Sequence, residues 1–159
     1  QVGISSISRG ADKAGFCRRE PPFKARRVSD VTTSLSNQLA GERYHFEQGN
    51  QDEWRKSVKS IAATLRDTWE VAVEEVVGHV IRRLSNEVKT RGLVKLTAIT
   101  VADCESMRNG FGRCSELLHS SAAALNRSLP EPDVLKGEID ALETWAASVR
   151  QRQDSVAAP

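Results

Sequence analysis

The residues best suited by type and spacing to do chemistry are an arginine, two glutamates and a histidine. Arg66 and Glu70 stand at i, i+4, with Glu74 one turn further on, His79 nearby and His119 farther along the chain. An Arg, Glu and His set can run metal-independent RNA cleavage, because His supplies general acid/base catalysis near neutral pH and Arg stabilises the charge of a pentacovalent phosphate. The plainer reading is a helix-surface ion pair contributing about 0.2–0.5 kcal/mol. The plainer reading is preferred, since helices commonly carry such pairs and the histidine spacing is not diagnostic. His45, between Tyr44 and Phe46, reads as a helix-surface residue rather than a ligand.

Gly10 and Gly15 have the GxxxxG spacing of a phosphate loop, but Phe16 and Cys17 stand where Lys and Ser or Thr are needed. Without that Lys nothing holds the β- and γ-phosphates, and without the hydroxyl there is no Mg²⁺ ligand. The cysteines, Cys17, Cys104 and Cys114, have spacings that suit neither a disulfide framework nor a metal site. On one helix Cys104 and Cys114 would lie about 15 Å apart, too far to bridge. A reducing cytoplasm fits this usage best.

Charge is uneven. Residues 1–27 carry seven Lys or Arg against two acids, a local charge of +5, while the whole chain is +2. Arg18, Arg19, Lys24, Arg26 and Arg27 are the candidates for nucleic-acid contact. A solvated loop is the preferred alternative, because no aromatic platform accompanies the charge.

These residues must be positioned by helices. The chain has 159 residues, 39% of them hydrophobic and 28% charged, with eight aromatic side chains and fifteen Gly plus Pro, too few turn-formers for an all-β domain. No apolar run approaches the length of a membrane span, and no signal-peptide pattern opens the chain. The expected fold is mainly α: a small bundle of three to four amphipathic helices preceded by one strand and a basic loop. Residues 1–27 form the strand and loop, 28–152 the helical domain and 153–159 a frayed tail. The strand, Val2 to Ser8, has no partner in view and would present an unpaired edge. Beginning at Gln1 with a strand entered midway, the sequence reads as a piece of a longer chain.

The first helix is expected from a Ser29 cap to about Gln48, with Val28, Val31, Leu35, Leu39 and Phe46 on its apolar face. The second opens at Asn50, with Glu53 placed to reach back to the cap's own N–H. Its stripe is Trp54, Val58, Ile61, Leu65, Trp69, Ala72 and Val76. A short extended segment is expected around Leu93 to Leu96. The third helix starts at Thr100 with Asp103 in the reciprocal capping position, and its stripe is Cys104, Met107, Phe111, Cys114 and Leu118. Gly110 and Gly112 weaken it by about 1 kcal/mol each relative to Ala. The last helix follows Pro130-Glu131-Pro132 from Asp133, with Leu135, Ile139, Leu142, Ala146 and Val149 as a heptad seam beside Trp145. The three Trp residues read as core rather than as nucleobase platforms.

The stretch Asp52-Glu53-Trp54-Arg55-Lys56-Ser57-Val58, followed by residues 65–76 (LRDTWEVAVEEV), resembles the C-terminal region of bacterial AAA family ATPases of the ABC/SMC-like type. Further likeness lies in Val88-Lys89-Thr90, Ile99 to Asp103, Arg113-Cys114-Ser115, Pro130 to Asp133 and Ile139 to Trp145, so that it covers nearly the whole chain. Two departures are Ser85-Asn86, where a Pro-containing stretch is usual, and Gly78-His79, where apolar residues are common. The resemblance implies a parent that binds ATP and Mg²⁺, while this chain carries none of the Walker A, Walker B or signature residues. It implies a non-catalytic segment that packs on the rest of the ATPase head and contacts a partner or nucleic acid, with no membrane involved. Relatives that couple such heads to RNA cleavage in phage defence leave a metal-independent ribonuclease module as the alternative. A standalone helical interaction protein is the third.

Overall fold

Apolar residues three and four apart dominate the chain after Arg27, and helices follow from that spacing. The structure, a computed structural model, describes residues 6–8, 16–18, 26–78, 90–119 and 128–157. Its helices are α1 (Val28–Glu47), α2 (Gln51–Val77), α3 (Val101–His119) and α4 (Pro132–Ala157), with a 3-10 helix, η1 (Thr90–Ala98), before α3. Packing runs in a circuit, α1 on α2, α2 on α3, α3 on α4 and α4 on α1, and is closed across the middle by α2 on α4. The expected helical bundle is therefore the fold. Of the strand read over Val2 to Ser8, Ser6–Ser8 (β1) is described, and it pairs antiparallel with Phe16–Arg18 (β2), Ile7 opposite Cys17. The partner thus comes from the stretch read as a connection, and β1 is not a lone edge.

α2 buries its whole predicted stripe, from Trp54 to Val76, and also Ser57, Ala62, Thr68 and Val71. The extra width has a simple cause: α2 is covered by α1, α3 and α4, so more than one face is removed from water. Its buried hydroxyls are satisfied, Thr68 donating to the Thr64 carbonyl at 2.5 Å and Ser57 to the Glu42 carboxylate of α1 at 2.8 Å. Asn50 caps the helix by accepting from the Glu53 N–H at 3.4 Å. The reciprocal half of that box is not made. The Asn50 N–H donates to the His45 carbonyl instead, and Glu53 turns to Lys56.

α1 begins at Val28, not at a Ser29 cap. Its first N–H is satisfied from 47 residues away, by Glu75 Oε1 of α2 at 2.9 Å, while the other oxygen of Glu75 accepts from Arg150 of α4 at 2.5 Å. Ser29 contributes only its carbonyl, accepting from Thr32 and Thr33. Glu75 is 24% exposed and ties three helices together. Glu75→Ala is expected to cost about 1–2 kcal/mol, the loss of a cap together with a partly screened ion pair. An unchanged urea midpoint would contradict that role.

The segment expected to be extended, Leu93 to Leu96, is helical instead, as part of η1. Nine residues are long for this helix type, whose runs seldom exceed about four. It persists because α4 lies along it, with Lys95 reaching Asp154 at 3.2 Å and the Ala98 carbonyl accepting from Arg152 at 3.1 Å. α4 buries the predicted seam and starts one residue early, with Pro132 in its first turn, where the missing N–H costs nothing. Gln153 does not fray. It is 1% exposed and donates to the Val76 carbonyl at 3.0 Å, a group that the end of α2 would otherwise leave unpaired.

α3 is turned by about one residue from its expected stripe. Asp103, Gly110 and Cys114 are buried, Met107 and Phe111 are half-buried, and Cys104 is exposed. The cause is a close approach of backbone to ring. A Cβ built on Gly110 would lie 2.4–2.8 Å from three atoms of the Trp69 indole, whereas one on Gly112 meets nothing within 4 Å. With α3 seated on Trp69, Cys104 and Phe111 move to its edge.

Candidate functional site

Among the described residues, the predicted catalytic side chains Arg66 and Glu70 make no bond to each other. Arg66 is half-buried and lies over the Phe111 ring, 4.9 Å from its centroid, with its Nε buried and without a hydrogen-bond partner. It forms no ion pair with the exposed Glu70, so the arginine serves as a cation–π cover on an aromatic edge. His79 lies outside the described residues. His119 ends α3 and is exposed. His45 is half-buried rather than on the surface, 3.3 Å from Glu42 and tilted by 45° against the Tyr44 ring, with its Nδ1 buried and without a hydrogen-bond partner.

Of the basic candidates, Arg18 closes β2, Arg26 is half-buried and Arg27 precedes α1 exposed, while Arg19 and Lys24 lie outside the described residues. Gly10 and Gly15 lie outside them too. Among the described residues no cluster of His, Cys, Asp and Glu could hold a metal ion, and no helix is long and apolar enough to cross a membrane. Trp54 and Trp69 are buried core residues. Trp54 donates to the Pro130 carbonyl at 3.1 Å, and the half-buried Trp145 donates to the Asp103 carbonyl at 3.0 Å.

The most connected polar group is one that sequence reading placed only as a cap. Asp103 accepts from the Thr100 N–H and hydroxyl, both at 2.7 Å, and the Asp103 N–H donates back to the Thr100 hydroxyl at 3.2 Å. This is the reciprocal box the sequence predicts. The same carboxylate accepts two bonds from Arg152 of α4, at 2.7 and 2.6 Å, and Arg152 also donates to Ser148 and to the Ala98 carbonyl. Burial alone would raise the Asp103 pKa, but the Thr100 donors and then Arg152 outweigh it and hold the carboxyl below its ordinary 3.8. The partners come from η1, α4 and Thr100 just before α3, so the cluster joins elements rather than offering a free acid.

Cys114 is likewise quiet. Burial first, and Glu138 second, push its thiol up to about 11, so it stays protonated and unreactive near neutral pH. Cys104 is exposed on the same helix, and both are free thiols.

Among the described residues two sizeable grooves open on the bundle. One, of about 570 Å³, runs between α2 and α3 and is lined by Val73, Val77, Ile99, Met107 and Phe111, with Cys104 and Arg108 at its edge. Val101, one turn before Cys104 on the same face of α3, is 76% exposed. The other, of about 260 Å³, lies between α2, α3 and the start of α4, with Cys114 in its wall and Arg55 and Lys59 on its rim. No sequence signal marked either groove, because each is made by residues from three segments. No family model matches the chain, and no curated protein or solved structure does so.

Proposed function

We propose that the chain is a non-catalytic helical module that docks onto a larger protein, the ATPase head of an SMC-like parent. The observation that supports this reading is the α2–α3 groove, whose lining is mostly apolar. A half-exposed row of Val73, Val77, Met107 and Phe111 is costly to leave in water and suits the apolar face of a partner helix. The polar groups with several partners, Asp103, Arg152 and Glu75, are all bonded between elements of the bundle and are not presented to a substrate.

On this reading the purified chain neither binds nor hydrolyses ATP and leaves RNA intact. Tight nucleotide binding would overturn it, as would RNA cleavage that Arg66→Ala abolishes without unfolding the protein. The parent is tested by the coding sequence. An open frame running upstream of Gln1 through a GxxxxGK[ST] motif and a long heptad region supports the ATPase, and a start codon directly before Gln1 ends that reading.

A further inference from the structure

The smaller groove has a chemistry of its own. Its accessible apolar lining is Leu117 of α3, Leu129 just before α4 and Val134 of α4, over a base of Val58, Leu65 and Leu135 that is each about 1% exposed. Its rim carries Arg55 and Lys59, one turn apart on α2. Like charges at i, i+4 repel, and among the described residues neither side chain has an ion-pair or hydrogen-bond partner. The third cation on the rim, Arg113 of α3, is different. It is held by Glu138 through two bonds of 2.6 and 2.9 Å. Glu116, also on the rim, is exposed and lies on the α3 side.

An apolar groove with two unpaired cations on its rim is complementary to a molecule with an apolar body and an anionic end. The volume of about 260 Å³ falls just below the range of about 300–1,000 Å³ for drug-sized ligands, so the occupant is small. We propose that this groove binds a small apolar carboxylate, its chain against Leu117, Leu129 and Val134 and its carboxylate between Arg55 and Lys59. A carboxylate there relieves the repulsion on α2 and gains charge-assisted hydrogen bonds, whereas a neutral or cationic head group gains neither.

The test is a methyl NMR titration of the full chain with octanoate, octanol and octylammonium. Octanoate is expected to shift the Leu117 and Leu129 methyls saturably, and to bind about tenfold or more tightly than the other two, the difference expected of a charge-assisted bond. The Arg55→Ala/Lys59→Ala variant alters only these unpaired cations on the rim, so its fold should hold. It should bind octanoate no better than octanol, with an unchanged thermal midpoint. Equal affinity for octylammonium, undiminished octanoate binding by the double variant, or no shift at those methyls at millimolar octanoate would each overturn the proposal.

Discussion

Gly110→Ala is expected to destabilise the bundle by about 3 kcal/mol, while Gly112→Ala, two residues away on the same helix, stabilises it by about 0.5–1 kcal/mol. Both substitutions remove the same backbone freedom and raise helix propensity equally. They differ in what the new methyl meets. At Gly110 it would fall within 2.4 Å of the Trp69 indole, a rigid ring that is 1% exposed, and at Gly112 it enters open space. Urea denaturation of the two variants measures the difference, and a Gly110→Ala midpoint at or above the parent's would refute the contact. A smaller residue at position 69 should rescue Gly110→Ala in part, since the two sites touch and their effects cannot add. The same approach leaves Trp69 Nε1 buried without an acceptor, so the junction already carries a cost of about 1–3 kcal/mol.

The second large effect is expected at Asp103. Asp103→Ala removes the carboxylate half of the Thr100 box and both bonds to Arg152, for an estimated loss of about 2–4 kcal/mol. Arg152 is 38% exposed, so water partly screens the guanidinium left behind and keeps the loss below that of a fully buried pair. The pH dependence has a definite sign. Because the folded carboxyl sits below its ordinary 3.8, the unfolded chain takes up the proton first on acidification. Asp103 therefore contributes stability above about pH 4 that is lost as pH falls through 3.8 and below. Asp103→Asn, which keeps a capping oxygen but no charge, should lose less than Asp103→Ala and should flatten stability across that acid range. A variant whose acid dependence matches the parent's would show that the carboxylate is not held by Thr100 and Arg152 together.

Docking and ligand binding would use different faces. The larger groove faces out between α2 and α3, and the smaller lies where α2, α3 and the start of α4 meet. α2 borders both, and Arg66 covers the Phe111 edge of the first. Loss of one function by substitution at Phe111 need not disturb Arg55 or Lys59, so the two can be separated.

Periodicity determined the helices and most of what they bury. Trp54 to Val76 on α2 and Leu135 to Val149 on α4 are core as their spacing demands, because a stripe at 3.6-residue spacing can leave water only by packing on another such stripe. The Thr100–Asp103 box was legible for the same reason: both of its partners lie within one turn. What the sequence left open was decided between elements distant in the chain. Glu75 capping α1, Gln153 closing α2, η1 in place of an extended segment, and the rotation of α3 onto Trp69 all depend on neighbours dozens of residues away. Local spacing carries no information about such neighbours. The grooves belong to the same class. Each exists only where three segments fail to meet, and no one segment contains the pattern that would announce it.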